Sequence, residues 1–193
     1  MAKMTACAVL FFAVFLTGCC SPAIIGSLPV TLNGQQTGMW CWAASGQMTM
    51  NYIHPASNVQ QCDEANKRFG RNDCCNNPVP SACVNGGWPE YQKYNFTASV
   101  TSDAPLTWSQ VQDQIYCARK PFAFSWHWPG GGGHMMVATG YVTIAGTNYV
   151  TVNNPWPPTG GVQEVYTYDN YVGGPGMGHT HWNDYYNITY TGP

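Results

Sequence analysis

The residues with the clearest chemical potential are a cysteine, a histidine and an asparagine that lie far apart in the chain. Cys41 stands between Trp40 and Trp42, where a loop gives way to a helical pattern. A helix N-terminus carries partial positive charge and free N–H groups, which favour a thiolate, so Cys41 is a candidate nucleophile. His134 follows a run of glycines and opens an apolar strand pattern, which makes it a candidate general base. Asn153 and Asn154 end the next strand pattern, where antiparallel pairing would bring an asparagine beside His134 to orient the imidazole.

The elements that must position these groups change in character along the chain. Helical patterns, capping signals and breakers predict helices in the N-terminal half, over 41–54, 58–69, 89–94 and 107–117. Alternating aromatic and apolar residues predict strands in the C-terminal half, over 122–128, 134–144, 149–153, 162–168 and 185–190. Helices followed by strands predict an α+β fold with two segregated layers and a cleft between them.

The first residues resemble a bacterial export signal. A basic Lys3 precedes an apolar run too short to span a bilayer, and Leu16-Thr17-Gly18-Cys19 follows it. This tetrapeptide resembles the lipobox of bacterial lipoproteins, in which the cysteine is lipidated and becomes the first residue of the mature chain. The sequence therefore predicts a signal peptide over 1–18, an anchor or linker over 19–33 and one folded domain over 34–193. An ordinary cleaved signal peptide is the alternative, and both predict an exported protein.

Export changes how the remaining cysteines are interpreted. Cys62, Cys74, Cys75 and Cys83 are clustered, and in an oxidising compartment such a cluster predicts disulfides. The adjacent pair lacks the CxxC spacing of structural zinc sites, and neighbouring cysteines should have different partners. Cys117 could pair with one of these, with Cys20, or remain free. The pairing stays open at this level.

Composition excludes several classes of function. Charged residues make up 8% of the chain against roughly 25% in typical soluble domains, and the net charge is −2 with no basic cluster. A nucleic-acid-binding protein would need a basic surface, so the sequence predicts no binding to nucleic acid. We expect contact with a membrane only through a lipid on Cys19, because no later segment is long and apolar enough to cross a bilayer.

The candidate residues also match a family. The segment Gln35-Gln-Thr-Gly-Met-Trp-Cys41-Trp-Ala-Ala-Ser45 resembles the active-site start of papain-like cysteine proteases, with a glutamine six residues before the cysteine. The glycine-rich approach to His134 and the Asn154-x-Trp156 triplet resemble family patterns as well. The likeness is greatest to the bacterial branch that includes secreted plant-pathogen effector proteases.

This resemblance implies a papain-like two-lobe fold, with the active site in the cleft between a helical and an antiparallel β lobe. It also implies a cysteine endopeptidase in which the Cys41 thiolate attacks the peptide carbonyl and His134 protonates the leaving amine. Asn154 would orient the imidazole, and the Gln35 amide with the Cys41 N–H would form the oxyanion hole. We expect a polypeptide substrate, a monomer, and neither cofactor nor metal.

Some positions and functions stay open. Asn153 is the alternative to Asn154, Gln36 is the alternative to Gln35, and Trp156 is expected to shield the His–Asn bond from water. His134 lies 93 positions after Cys41, against about 130–150 in the papain and cathepsin pattern, which predicts a compact relative. Other hypotheses are a Cys/His cell-wall amidase or endopeptidase, acyl transfer to an amine, and a non-catalytic module that binds peptide or glycan.

The other histidines carry weaker predictions. His127 is expected to face solvent, and His54 to lie at a helix end. His179 and His181 have the same-face spacing of a strand and could chelate a metal. Because no carboxylate or cysteine is adjacent to them, the sequence favours a surface loop there.

Overall fold

The computed structural model of the protein describes residues 20–193. The predicted signal peptide over 1–18 and the predicted lipid attachment site at Cys19 lie outside the described residues. Within residues 20–193, no helix combines the length and the apolar character needed to cross a bilayer.

The described residues form four α-helices and seven β-strands. The helices are α1 (Cys41–Ile53), α2 (Gln61–Phe69), α3 (Trp108–Gln112) and α4 (Tyr168–Val172). Short 3₁₀ turns cover Pro55–Ser57, Ser81–Cys83 and Tyr91–Tyr94, and a π-helical turn over Asp113–Cys117 continues α3. The strands are β1 (Ile25–Ser27), β2 (Phe96–Val100), β3 (Phe122–His127), β4 (Gly133–Ile144), β5 (Thr147–Asn154), β6 (Val162–Thr167) and β7 (Thr180–Tyr190).

The strands form one antiparallel sheet in the order β2-β7-β3-β4-β5-β6, and β1 pairs with the far end of β4. The predicted α+β fold is confirmed, since the long helices precede most of the strands. The stretch 19–33, expected to be an anchor or linker, belongs to the folded unit from residue 25 onward. β1 is hydrogen-bonded into the sheet there, and the Leu28 and Val30 side chains that follow are buried.

Helix α1 is the central helix of the protein. Its side chains from Trp42 to Met50 are all buried, so the helix is enclosed on every side. The buried polar groups on it are mostly paired. The Gln47 Nε2 donates to the Val59 carbonyl at 3.0 Å, and the Thr49 hydroxyl lies 3.0 Å from the Tyr91 hydroxyl. Such pairing removes most of the cost of burying polar side chains.

Local signals predicted some helix ends correctly and one incorrectly. The capping box of Thr107 and Gln110 is present, with both reciprocal hydrogen bonds formed. The capping box predicted for Ser57 and Gln60 is wrong, and α2 begins at Gln61 instead. Ser57 is part of a 3₁₀ turn that ends at Asn58 in a left-handed conformation, so its side chain cannot cap α2. The strands β1 and β2 and the short helix α4 were not predicted.

Three disulfides join the remaining cysteines. They are Cys20–Cys117, Cys62–Cys75 and Cys74–Cys83, so the two adjacent cysteines have different partners as expected. Two of these bonds fasten the loop that follows α2. Asp63 and Asp73 lie close to those two bonds, but the neighbouring sulfurs are already oxidised. Cys41 is the one cysteine among residues 20–193 that forms no disulfide.

His179 and His181 are buried, which corrects the expectation of a surface loop. The His179 Nε2 lies 2.9 Å from the Asn170 carbonyl, and the ring stacks on an aromatic neighbour. The His181 Nε2 lies 3.1 Å from Asp184 Oδ2, and its Nδ1 lies 3.1 Å from the Tyr171 carbonyl. Asn170 and Tyr171 both belong to α4, so the two histidines hold α4 against the sheet.

Candidate active site

Cys41 is the first residue of α1 and lies on the wall of a cleft of about 680 Å³. The helix start is held by two indoles that the sequence places on either side of the cysteine. The Trp40 Nε1 donates to the Cys83 carbonyl at 2.7 Å, and the Trp42 Nε1 donates to the Asn85 carbonyl at 3.1 Å. Both acceptors belong to the disulfide-fastened loop, so this loop fixes the position of Cys41.

The surroundings of the Cys41 sulfur act on its pKa in opposite directions. Burial raises the pKa of the thiol, and this effect is the largest. The backbone N–H groups of Met135, Trp42 and Cys41 itself face the sulfur and lower its pKa. Two of these donors belong to the start of α1, where free N–H groups are expected. The third donor, Met135, is the first buried residue of β4 and directly follows His134 in the chain.

His134 and Asn154 form a close hydrogen bond behind the cleft. The His134 Nε2 lies 2.7 Å from Asn154 Oδ1, which also accepts the Trp156 N–H at 2.9 Å. An amide oxygen can only accept, so the His134 Nε2 carries the proton and Nδ1 is the nitrogen left for proton exchange. Burial lowers the pKa of His134, while the bond to Asn154 and the charge of Glu164 raise it.

The two adjacent asparagines have different surroundings. The Asn153 side chain is fully buried, donating to the Val30 carbonyl at 3.1 Å and accepting from Gln163 Nε2 at 3.1 Å. Asn154 lines the cleft and contacts His134. Successive side chains of a strand point to opposite faces, so only one of the two can reach the histidine.

The two adjacent glutamines are separated in the same way. Gln35 is buried and lines the cleft, whereas Gln36 is exposed and its backbone N–H donates to Gln61 Oε1. Backbone hydrogen bonds from Gln35 N to the Pro155 carbonyl and from Thr159 N to the Gln35 carbonyl tie this loop to the segment after Asn154.

The Gln35 amide is held by its own loop. Its Nε2 donates to the Thr37 carbonyl at 2.7 Å. Because an amide nitrogen carries two hydrogens, this bond leaves one N–H of Gln35 free for a ligand in the cleft.

The walls of the cleft are aromatic and apolar. Five tryptophans contribute to them, namely Trp42, Trp88, Trp128, Trp156 and Trp182. Trp128 lies parallel to the His134 ring at 6.4 Å between centroids. The Trp156 indole is half exposed at the rim, so its shielding of the His–Asn bond stays a prediction. Arg68 lines one wall with its guanidinium over the Trp42 ring and paired with Glu90 at 3.0 Å.

Sequence reasoning missed several residues of this site. Gly86 and Gly87 present backbone to the cleft, and a Cβ at Gly87 would lie 2.4 Å from Arg68 Nε. The pair Gly-Gly before a tryptophan was the available signal. Glu164 accepts a hydrogen bond from Asn154 Nδ2 at 2.7 Å. The sequence did not indicate this contact. An acidic residue on an edge strand usually faces solvent, so Glu164 did not stand out.

Comparison with known proteins agrees with this geometry. The family model described as papain-like cysteine protease AvrRpt2 matches residues 24–172, which is most of the chain. The chain belongs to this family. As a member of the AvrRpt2 family it is a cysteine peptidase, and polypeptides are its substrates. A search of curated proteins found no match.

A solved structure of a procathepsin shows the same fold. A digestive procathepsin L 3 from the larval midgut of Tenebrio molitor is 12% identical, with a TM-score of 0.53, over 89% of this chain and 72% of that chain. A structure from a study of the mite allergens Blo t 1 and Der p 1 is 13% identical, with a TM-score of 0.46, over 89% and 73% of the two chains. The family match and the procathepsin L 3 structure confirm the papain-like fold expected from the sequence.

Proposed function

We propose that this protein is an endopeptidase that cleaves polypeptides through a covalent acyl-enzyme on Cys41. One observation carries the proposal. A free cysteine at a helix N-terminus, a histidine bonded to an asparagine amide, and a buried glutamine amide line the same cleft. Each group has a chemical role in acyl transfer, and the family supplies the reaction class.

The first half of the reaction forms the acyl-enzyme. The Cys41 thiol transfers its proton to His134 Nδ1, and the thiolate sulfur bonds to the substrate carbonyl carbon, whose oxygen becomes an oxyanion. The tetrahedral intermediate then collapses as the carbon–nitrogen bond breaks. The His134 imidazolium gives its proton to the departing amine, which leaves a thioester on Cys41.

The oxyanion needs donors placed before the reaction begins. The free N–H of the Gln35 amide and the backbone N–H of Cys41 are the donors we assign to it. Loss of one such donor typically lowers kcat by about 10²- to 10³-fold. The backbone bonds of Gln35 to Pro155 and Thr159 support this role, because they hold the loop in place without substrate.

The second half of the reaction consumes water. His134 accepts a proton from the water as its oxygen bonds to the thioester carbon. The carbon–sulfur bond then breaks and the carboxylic acid leaves, while His134 returns its proton to the departing thiolate, which restores the Cys41 thiol and the neutral imidazole. Asn154 acts on both halves, because its oxygen keeps Nε2 protonated and so leaves Nδ1 as the working nitrogen.

Peptide hydrolysis by matched variants tests the proposal. The chain beginning at Cys20 is incubated with a peptide library, and its cleavage products are identified by mass spectrometry. We expect internal cleavage, abolished by Cys41→Ala and by His134→Ala, with circular dichroism unchanged. Cleavage that survives Cys41→Ala would exclude the thiolate mechanism. Binding that persists in that variant with no cleavage by the wild type would favour the non-catalytic module.

The disulfides and the signal-like first residues support a proposal for where the protein is located. Three disulfides support an oxidising compartment. We propose that the protein is exported as a monomer and held at the cell envelope by a lipid on Cys19. Labelled fatty acid should be incorporated into the full chain and not into Cys19→Ala. Equal labelling of the wild type and of Cys19→Ala would contradict the lipid anchor. Size-exclusion chromatography tests whether the protein is a monomer.

A further inference from the structure

We infer that Glu164 is a positioning residue of the catalytic machinery, which holds the Asn154 amide with its oxygen toward His134. The inference rests on the proposed function, because a positioned His134 has a purpose only if Cys41 needs a base. Glu164 lies on the edge strand β6 and does not touch the reacting atoms. Its effect reaches them through one hydrogen bond to Asn154.

Two contacts determine which way the Asn154 amide points: the Trp156 N–H donates to its oxygen at 2.9 Å, and Glu164 accepts from its nitrogen. The Asn154 Nδ2 donates to Glu164 Oε2 at 2.7 Å, and a carboxylate can only accept. The amide nitrogen must therefore face Glu164, and the amide oxygen must face the His134 Nε2 on the other side. Without the carboxylate, only the Trp156 N–H would oppose a half turn of the amide, which would present its NH₂ group to His134.

The amide orientation determines the tautomer of His134. An oxygen facing Nε2 requires the proton on Nε2 and leaves Nδ1 to exchange a proton with Cys41. An NH₂ group there would require the opposite tautomer, with the proton on Nδ1, and the base would be lost. In such sites a third group generally orients the base. Here Asn154 orients His134, and Glu164 in turn orients Asn154.

Tyr166 supports Glu164 from the same strand. Its hydroxyl donates to Glu164 Oε2, the oxygen that Asn154 also uses. Burial, followed by the hydrogen bond to Glu164, raises the pKa of Tyr166, so it remains a donor at every working pH. The ring packs on Trp126 at 5.2 Å between centroids. The carboxylate is therefore held by two donors, which restricts its rotation.

The neighbouring residue on β6 offers a matched control. Gln163 donates to Asn153 just as Glu164 accepts from Asn154, but Asn153 points into the core and not to His134. Gln163→Ala removes a contact of similar kind, one residue away, between the same two strands. A general weakening of the β5–β6 pairing would affect both variants equally.

The experiment compares Glu164→Ala, Glu164→Gln and Gln163→Ala. A glutamine oxygen can still accept from Asn154, so Glu164→Gln keeps the orientation and loses the charge. We expect kcat to fall about tenfold in Glu164→Ala with KM little changed, because an indirect contact costs less than a direct charge-assisted bond. We expect Glu164→Gln to stay within about threefold and Gln163→Ala to match the wild type.

A pH profile adds a readout that a merely structural role would not change. The ionisable groups that face His134 are the Cys41 thiol across the cleft and the Glu164 carboxylate behind Asn154, with the Tyr166 phenol beside it. Removing the carboxylate charge should move the acid limb of kcat/KM to lower pH in both Glu164 variants, and not in Gln163→Ala.

The His134 tautomer decides the inference even without catalysis. Nitrogen NMR of the labelled protein should find the proton on Nε2 in the wild type, in Glu164→Gln and in Gln163→Ala. It should find a mixed or reversed population in Glu164→Ala. An unchanged tautomer and an unchanged kcat in Glu164→Ala would overturn the inference. Absence of peptide cleavage by the wild type would instead contradict the proposed function, while the tautomer would still test Glu164.

Discussion

Replacement of Asn154 by alanine isolates the hydrogen bond on which the proposed base depends. In the wild type, Asn154 Oδ1 lies 2.7 Å from the His134 Nε2, and this bond becomes charge-assisted once His134 is protonated. A hydrogen bond to a charged group contributes about 1.5–3 kcal/mol. Because about 1.4 kcal/mol corresponds to a tenfold change in rate, kcat/KM should fall about 10- to 150-fold. Most of the loss should lie in kcat, since the imidazolium forms during the reaction.

The assay measures initial rates on a fluorescent peptide chosen from the sequences that the wild type cleaves. Asn153→Ala is the matched control, because Asn153 is bonded to Val30 and Gln163 and is remote from the histidine. It should lower the free energy of unfolding by about 1–3 kcal/mol while leaving the activity per folded molecule unchanged. The reasoning fails if Asn154→Ala stays within twofold of the wild type, or if Asn153→Ala loses as much activity per folded molecule.

Three further predictions concern pH and stability. Burial raises the pKa of Cys41 and lowers that of His134, so the pair should keep one shared proton from below pH 6.5 to above pH 9. The pH profile of kcat/KM should show a plateau over that range, and a narrow bell would contradict this. Asp184 accepts hydrogen bonds from three buried partners, so Asp184→Asn should lower the free energy of unfolding by about 3 kcal/mol. Urea unfolding measures this change, and a loss under about 1 kcal/mol would contradict the prediction. Replacing both Cys20 and Cys117 by serine opens a loop with a sequence separation of 97, which should cost about 4–5 kcal/mol, and an unchanged melting temperature would argue against it.

Much of the fold could be predicted because the informative segments are strongly patterned. The alternation of Phe122–His127 identified β3, and Thr107 with Gln110 identified the start of α3. β1 was missed because a strand of three residues contains too little alternation to detect. His179 and His181 were misplaced because their rings are covered by α4, and this tertiary contact is not encoded in the local sequence.

The candidate site also has residues that the sequence predicted and one that it could not predict. Cys41 and His134 were predicted from their setting in the sequence, Asn154 and Gln35 from the resemblance to papain-like proteases, and the structure brings all four to one cleft. Their catalytic roles remain proposals. Glu164 could not be predicted, because its contact with Asn154 runs diagonally between β5 and β6 and depends on their register.

The central claim is that Cys41 and His134 form a competent nucleophile and base. Labelling of the mature protein with an epoxide inhibitor of cysteine proteases tests it most directly, read by intact mass and peptide mapping. The account predicts one adduct on Cys41, lost in His134→Ala and retained at the wild-type rate in Gln163→Ala. No adduct on a folded wild type with Cys41 reduced, or equal labelling of His134→Ala, would contradict it.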